Sequence, residues 1–220
     1  MKRGPVLDTL TLSASQKASL QEATLRYAQE VDSLGSYLEP RGVSHRAATG
    51  RLLGRCSDPI PGHEKFLGMM SIPYLTPAGT VAMKFRRIDG SEGPKYDSPP
   101  GQKARLYNVM DLLEPAEVVA ICEGELAALV FSDTLGIPTV GTPGTQWMEH
   151  WSRCFADYDR VLVVADHDVK DDGSSPGVKH AKAVVSKVPN AELVLPPAGE
   201  DPDSWIVNYG ADAVRERLGI

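Results

Sequence analysis

The sequence predicts an α/β fold, in which a parallel sheet covered by helices follows a small α+β lobe. Three observations predict it. From Glu117 onward, short apolar runs alternate with helical patterns, which is the order of strands and helices in a parallel sheet. In the front half, two apolar runs flank Thr76–Gly79, which is the pattern of a β-hairpin. Finally, 42% of the residues are hydrophobic and 24% are charged, as in ordinary globular proteins and unlike disordered ones.

The front half is predicted to consist of helices, a hairpin and an exposed loop. Apolar residues recur at helical spacing from Ser13 until Pro40 and Gly42 end the pattern. Further along, Pro and Gly interrupt the chain repeatedly, which indicates loops. The predicted elements are a helix over 13–39, a second helix over 44–53, a loop over 54–65, a hairpin over 69–88 and a polar loop over 89–101.

The back half is predicted to form a parallel sheet with helices between its strands. Its apolar runs are short and rich in β-branched residues, as in strands buried on both faces. Helical stretches are predicted up to Leu135, through Phe155 and up to Val188, with one or two more at the end of the chain. The predicted strands are 118–122, 137–140, 160–165 and 191–195.

The charge of the chain is unevenly distributed. The total is 23 − 29 = −6, but residues 1–115 carry 15 − 12 = +3 and residues 116–220 carry 8 − 17 = −9. The basic residues of 84–105 lie in or beside a loop rich in Pro and Gly, which suits contacts to phosphate, although an exposed charged loop has the same composition. These residues are Lys84, Arg86, Arg87, Lys95, Lys103 and Arg105.

Acidic residues follow three of the predicted strands of the back half. In open α/β sheets, ligands bind beyond the carboxyl ends of the strands. Carboxylates crowded at one such edge need a compensating cation, and Mg²⁺ prefers their oxygens. Each acid alone is ordinary at a helix start or a turn, so the prediction depends on all three groups occurring in order. These groups are Glu123, then Asp166 with Asp168, then Asp201 with Asp203.

Several other classes of protein are disfavoured. The three cysteines, Cys56, Cys122 and Cys154, are isolated and odd in number, which predicts neither a zinc site nor a disulfide framework and favours a reducing cytoplasm. No apolar run approaches the length of a membrane span, and the first 15 residues contain no secretory signal. The chain has no GxSxG, GxGxxG or P-loop pattern, which disfavours serine hydrolases, dinucleotide-binding proteins and P-loop NTPases.

The order of these acids resembles the TOPRIM domain, which bacterial-type primases, topoisomerases, small RNA-maturing nucleases and recombination proteins share. Glu123 in ICEGELAAL matches the glutamate of that family, and Asp166 and Asp168 in VVADHDV match its DxD motif. The flanking segments resemble the catalytic core of bacterial and phage-type (DnaG-like) DNA primases, from about Leu20 to the end of the chain. These segments are YLEPRGVS (37–44), IPYLTPAGTVAMKFRRI (72–88), GPKYDSPP (93–100), ARLYN (104–108) and AGEDPDSW (198–205).

The resemblance implies a DNA primase, a nucleotidyltransferase that makes RNA primers from ribonucleoside triphosphates on a single-stranded DNA template. It implies that Glu123, Asp166 and Asp168 are catalytic and bind one or two Mg²⁺ or Mn²⁺ ions, with Asp201 and Asp203 as further ligands. It also implies that Arg87, Lys95 and Lys103 bind template or nucleotide, and Lys84, Arg86 and Arg105 belong to the same basic stretch. The expected organisation is an N-terminal lobe over 1–115, the TOPRIM domain over 116–205 and a C-terminal helix over 206–220 that packs on it.

The chain departs from the family in ways that leave alternatives open. Ala127 occupies a position where the family often has Asp, and Glu125 is a candidate partial substitute. We expect no zinc in this chain and neither a zinc-ribbon nor a helicase-binding domain, as in a minimal core encoded by a phage and acting in the host cytoplasm. A separate zinc-ribbon protein or a replicative helicase is a possible partner, and no membrane is expected. The alternatives are a metal-dependent TOPRIM nuclease and a degenerate scaffold that binds DNA or the replisome without catalysis.

Overall fold

The computed structural model describes residues 12–220, and its front half contains a four-stranded antiparallel sheet. Residues 1–11 lie outside the described residues. They include most of the first 15 residues, for which the sequence predicts no secretory signal. The central pair of strands forms the predicted hairpin, with a register shift between Tyr74 and Leu75. The strands, in their order across the sheet, are β1 (Gly54–Arg55), β2 (Met70–Thr76), β3 (Gly79–Arg86) and β4 (Tyr96–Asp97).

The front helices differ from the single long helix predicted over 13–39. A capping box starts the first helix, since Ser13 Oγ accepts from the Gln16 amide and Gln16 Oε1 accepts from the Ser13 amide. That helix ends at Ala28, and the 3₁₀ turn at Val31–Leu34 leads from the hydrophobic cluster that contains Tyr27 to the one that contains Leu34. The helices are α1 (Ala14–Ala28), α2 (Gly35–Leu38) and α3 (His45–Gly50), with 3₁₀ turns at Val31–Leu34, Glu39–Arg41 and Glu64–Phe66.

The back half contains the predicted parallel sheet. It has four strands, numbered β5 to β8 along the chain, and all neighbouring strands pair in parallel. Across the sheet their order is β6-β5-β7-β8. The second strand begins two residues later than predicted, at Thr139, where it pairs with Ala120. The strands are β5 (Val118–Glu123), β6 (Thr139–Thr142), β7 (Arg160–Val164) and β8 (Ala191–Val194).

Helices cover both faces of the parallel sheet, as predicted for an α/β fold. The helix predicted through Phe155 is instead a 3₁₀ segment over Glu149–Phe155. Trp147, which precedes it, meets Trp151 edge to face, with their ring centroids 5.6 Å apart. Both indoles pack into the core cluster that contains Phe155. The segments are α4 (Glu125–Leu135), 3₁₀ turns at Val109–Leu113 and Glu149–Phe155, α5 (Pro176–Val185), α6 (Pro202–Tyr209) and α7 (Ala211–Leu218).

One hydrophobic cluster runs between the two sheets and fixes their relative position. It contains Met70 and Ile72 of β2 together with Leu126 and Phe131 of α4. The Tyr107 and Gly141 backbones exchange two hydrogen bonds, of 2.9 and 3.1 Å, at the same junction. The division into domains at 115 and 205 remains a prediction, since core side chains from both halves share this cluster. Within residues 12–220, no helix has the length and apolar character needed to cross a membrane.

Candidate active site

Five acidic residues meet at the carboxyl edge of the parallel sheet. Glu123 is the last residue of β5, and Asp166 and Asp168 lie two and four residues after the end of β7. Because Cys122 pairs with Val164 across these strands, the two groups leave the sheet side by side. Asp201 is the N-cap of α6, and Asp203 lies in the first turn of that helix. The predicted order of acids along the chain therefore becomes a group in space.

The pKa values of these acids indicate that they lie close to one another in a partly buried place. Burial, followed by the charges of Glu123, Asp201, Asp203 and Asp168, raises the pKa of Asp166 to about 8. Burial and the neighbouring Asp201 raise the pKa of Asp203 to about 7. Burial and Asp168 likewise raise the pKa of Glu123. For these three acids, burial and neighbouring negative charge outweigh any nearby positive charge of the protein.

Asp201 behaves differently, because local donors outweigh its burial. Burial acts to raise its pKa, but the Ser204 amide donates to Asp201 Oδ1 at 2.8 Å, and the net shift of the pKa is downward. The positive charge of Lys95 contributes to that lowering. Lys95 therefore faces the acidic group from the front half of the chain.

The acidic group fits a divalent cation by its chemistry. Asp166 Oδ1 is buried and has no hydrogen-bond partner, and an unpaired buried carboxylate oxygen is costly unless a cation or donor reaches it. Oxygen donors of this kind suit Mg²⁺ or Mn²⁺. Within the described residues, however, no three Asp, Glu, His or Cys side chains are arranged as ligands of a single ion. The residues that would hold a cation are Glu123, Asp166 and Asp168, with Asp201 and Asp203 beside them.

Two glycines allow the backbone to approach these acids. A Cβ added to Gly177, in the first turn of α5, would lie 2.8 Å from the Asp166 Cβ and would overlap the Asp166 carbonyl oxygen. A Cβ added to Gly141, in β6, would overlap the Gly124 carbonyl oxygen beside Glu123. In the sequence, Gly141 begins the segment GTPGT (141–145), which directly follows the second predicted strand. That segment is the feature that could have indicated a special role for Gly141. Nothing local in the sequence indicated the contact of Gly177.

Lys84 is turned into the protein, where it pairs with a buried acid. Its Nζ lies 2.7 Å from Oε1 of Glu125, and the Tyr74 hydroxyl donates to the same oxygen at 2.6 Å. Glu125 is only 1% exposed. The hypothesis that Glu125 substitutes for the absent acid at Ala127 therefore concerns a carboxylate that already holds Lys84 and Tyr74.

Arg86 is also buried, and its charge reaches the acidic group. Its Nε donates to the Tyr37 hydroxyl at 2.6 Å, and its Nη1 donates to the Tyr96 hydroxyl. Its positive charge acts to lower the pKa of Asp203. The ring of Tyr96 also has Lys84 Nζ 4.2 Å from its centroid.

The other basic residues of 84–105 lie nearer the surface. Lys95 and Lys103 are exposed, whereas Arg87 is half-buried and donates to Ser91 Oγ at 2.8 Å. Lys103 and Arg105 line a groove of about 300 Å³ against α1. The six basic residues thus divide into two with interior contacts and four that are at least partly accessible. Their role in nucleic-acid binding remains a prediction.

Comparison with known proteins identifies relatives among phage proteins and bacterial DNA primases. The chain is 38% identical over 159 residues to the Gene 57 protein of Mycobacterium phage D29, a match that covers 70% of this chain and 99% of that protein. It is 26% identical over 198 residues to the DNA primase of Halalkalibacterium halodurans, which covers 84% of this chain. This chain spans only 32% of the length of that primase. No family model matches the chain.

The fold is shared with solved catalytic cores of DnaG primases. A DnaG primase catalytic domain bound to single-stranded DNA matches with a TM-score of 0.70 at 20% identity, over 94% of this chain and 82% of that chain. The fold and the acidic edge together define a chain with the architecture of a DnaG-type primase catalytic core, as the sequence predicted. Within that class, the chain belongs to the same family as the phage D29 Gene 57 protein.

Proposed function

We propose that this chain is a DNA primase core, which makes short RNA primers on single-stranded DNA during replication. The observation that carries the proposal is the group of five acids at the carboxyl edge, faced by Arg86 and Lys95 from the front half. The shared fold and the bacterial DNA primases among the relatives support primer synthesis. So does the solved DnaG domain bound to single-stranded DNA.

In this proposal the acids hold the cation and the front half holds the phosphates. When bound, Mg²⁺ or Mn²⁺ supplies positive charge to the triphosphate and lowers the pKa of the attacking 3′-hydroxyl. Glu123, Asp166 and Asp168 provide the oxygen donors, and Asp201 and Asp203 close the site from α6. The raised pKa of Asp166 implies that this carboxyl gives up a proton when the cation binds.

The basic residues bind the substrates in the same proposal. In it, Lys95, whose charge reaches Asp201, and Arg87 contact the phosphates of the incoming ribonucleotide from the segment that precedes β4. Lys103 and Arg105, along the groove against α1, contact the backbone of the single-stranded template. Lys84 and Arg86 act from the interior, where they hold Glu125, Tyr37 and Tyr96 in place. A host replicative helicase or a separate zinc-ribbon protein is the proposed partner, in the cytoplasm of the host cell.

The test is primer synthesis on single-stranded DNA with ribonucleotides and Mg²⁺ or Mn²⁺. We expect the wild-type protein to make primers, and the double variant Asp166→Asn/Asp168→Asn to make none above background. Asp172→Asn is the matched control, because Asp172 is an exposed acid of the same loop after β7. Primer synthesis by the double variant at the wild-type rate would contradict the site. Cleavage of DNA by the wild-type protein without ribonucleotides would favour the TOPRIM nuclease instead.

A further inference from the structure

We infer that His167, between the two aspartates of the DxD motif, is a positioning residue that joins the two halves of the acidic group. The inference rests on the proposed function, because it concerns how the same site is assembled. The His167 Nδ1 atom lies 2.6 Å from the carbonyl oxygen of Pro196. A carbonyl oxygen only accepts hydrogen bonds, so Nδ1 carries the proton and donates it. The imidazole is therefore directed at the segment after β8.

The backbone of His167 makes two more bonds to the same segment. The His167 amide donates to the Glu200 carbonyl at 3.0 Å, and the Gly199 amide donates to the His167 carbonyl at 3.1 Å. One residue of the loop after β7 thus contacts residues 196–200 three times. The two backbone bonds are open to almost any residue at this position, whereas the bond to Pro196 depends on the side chain.

Residues 196–200 lead directly into the second half of the acidic group. Asp201 follows as the N-cap of α6, where it forms a capping box with Ser204, and Asp203 lies two residues further, in the first turn. The position of residues 196–200 therefore sets the distance of Asp201 and Asp203 from Asp166 and Asp168. The imidazole fixes that distance at one point of the connection, the Pro196 carbonyl.

The arrangement needs such a tie, because like charges at this edge repel one another. Pro196 and Pro197 have no amide hydrogen, so this part of the segment donates nothing to its neighbours. Without the imidazole, the segment keeps the two backbone bonds at its far end and the turn in which the Glu200 amide donates to Pro197. We expect the acids on α6 to move away from the DxD motif when the side-chain bond is lost.

The experiment compares His167→Ala with His167→Asn in the full chain. The Nδ2 amide of Asn stands in the place of Nδ1–H and donates to the same carbonyl. Mn²⁺ binding is measured by electron paramagnetic resonance without nucleotide, and thermal melting reports folding. We expect His167→Ala to weaken Mn²⁺ binding about 10- to 100-fold, the range found for residues that orient metal ligands, and His167→Asn to restore most of it. His150→Ala, which removes an exposed imidazole in the same half, is the control and leaves Mn²⁺ binding unchanged.

A second measurement does not depend on either variant. Nitrogen-15 NMR of the wild-type imidazole is expected to report a protonated Nδ1 at His167. A neutral ring protonated at Nε2 alone would overturn the inference, as would equal Mn²⁺ affinity of wild type and His167→Ala. Wild-type protein that binds no Mn²⁺ would overturn it as well.

These outcomes are distinct from failure of the proposed function. If the wild type makes no primers but His167→Ala weakens Mn²⁺ binding and His167→Asn restores it, the positioning role stands and the primase proposal falls. If the wild type makes primers and His167→Ala does so with the same dependence on Mn²⁺, the primase proposal stands and the positioning role falls.

Discussion

At Asp166, the requirement for binding a cation conflicts with the stability of the metal-free fold. Its Oδ1 is buried without a partner, and burial together with four neighbouring acids raises its pKa from 3.8 to about 8. In the metal-free protein at neutral pH, the folded state therefore retains a proton that the unfolded chain releases. The ionised carboxylate, which a cation requires, is unfavourable in the fold until the cation arrives.

The first prediction concerns Asp166→Asn in the absence of metal. Because the pKa of Asp166 is higher in the folded state than in the unfolded one, the wild type loses stability as the pH rises from about 4 to about 8. The amide cannot ionise, so the melting temperature of the variant relative to wild type should increase between pH 5 and pH 8. Thermal melting followed by circular dichroism in EDTA measures it, with Asp172→Asn as control. A difference that is independent of pH would contradict the prediction.

Gly177 carries a second prediction at the same scale. Alanine normally stabilises a helix relative to glycine by up to about 1 kcal/mol, but the added methyl group at 177 overlaps the Asp166 backbone. We expect Gly177→Ala to lower the melting temperature and to weaken Mn²⁺ binding, because Asp166 must move. Gly50→Ala is the matched control, since Gly50 lies in α3 with nothing within 4 Å of an added Cβ. A Gly177→Ala variant that binds Mn²⁺ like wild type would argue against this packing.

At the scale of elements, β3 of the antiparallel sheet contacts the start of α4. Lys84 and Arg86 are two apart, so their side chains leave β3 on the same face. Lys84 meets Glu125 at the start of α4, and Arg86 meets Tyr37 and Tyr96. Glu125 lies two residues after Glu123, so the ion pair anchors β3 directly behind the acidic edge. The pair is buried, which makes it sensitive to the loss of one partner.

The third prediction uses this ion pair. Lys84→Met should destabilise the protein by about 3–5 kcal/mol, because it leaves Glu125 buried without its cation. The double variant Lys84→Met/Glu125→Met should recover much of that loss, since apolar replacement of a buried pair is often close to neutral. Urea unfolding measures both. Lys187→Met, which breaks a pair of 3.9 Å between exposed side chains, should cost less than about 1 kcal/mol.

Recovery in the double variant is the decisive comparison. If Lys84→Met and the double variant are equally destabilised, the cost reflects lost packing and not an uncompensated charge at Glu125. The same variants carry information about Lys84 as a proposed ligand of nucleic acid. A role limited to the interior predicts that the folded double variant keeps the wild-type affinity for single-stranded DNA.

At the scale of the whole molecule, the uneven charge along the chain becomes an exposed basic stretch in the front half and an acidic edge in the back half. The total of −6 alone disfavours a protein that binds nucleic acid. In the fold, the exposed Lys95 and Lys103 belong to the front half, and the acids of the back half gather at one edge of the parallel sheet. Bound cations would offset part of the negative charge at that edge. Binding of single-stranded DNA should then depend on divalent ions as well as on salt.

The fourth prediction separates these two dependences. Lys95→Ala and Lys103→Ala should each weaken binding to single-stranded DNA at low salt and reduce the slope of log affinity against log salt by about 0.7 per lost phosphate contact. Fluorescence anisotropy with a labelled oligonucleotide, titrated with salt, measures the slope. Lys187→Ala removes a half-exposed lysine from the back half and should leave the slope unchanged. An unchanged slope in both loop variants would exclude Lys95 and Lys103 from the template path.

The sequence by itself determined the parallel sheet, the hairpin and the order of acids that ends at one sheet edge. These follow from local patterns, since apolar runs define strands and parallel strands share a carboxyl edge. Glu123, Asp166 and Asp168 therefore appear together from sequence alone, and the hairpin follows from the turn at Thr76–Gly79.

Only the tertiary structure decided which basic residues are available and how the acids are held. Lys84 is paired with Glu125 41 positions away, and Arg86 with Tyr37 49 positions away, so no local pattern separates them from the exposed Lys95. The same is true of His167 and Pro196, 29 positions apart. The physical reason is common to all three, because burial and partners are set by segments that are distant in sequence and meet only when the chain folds.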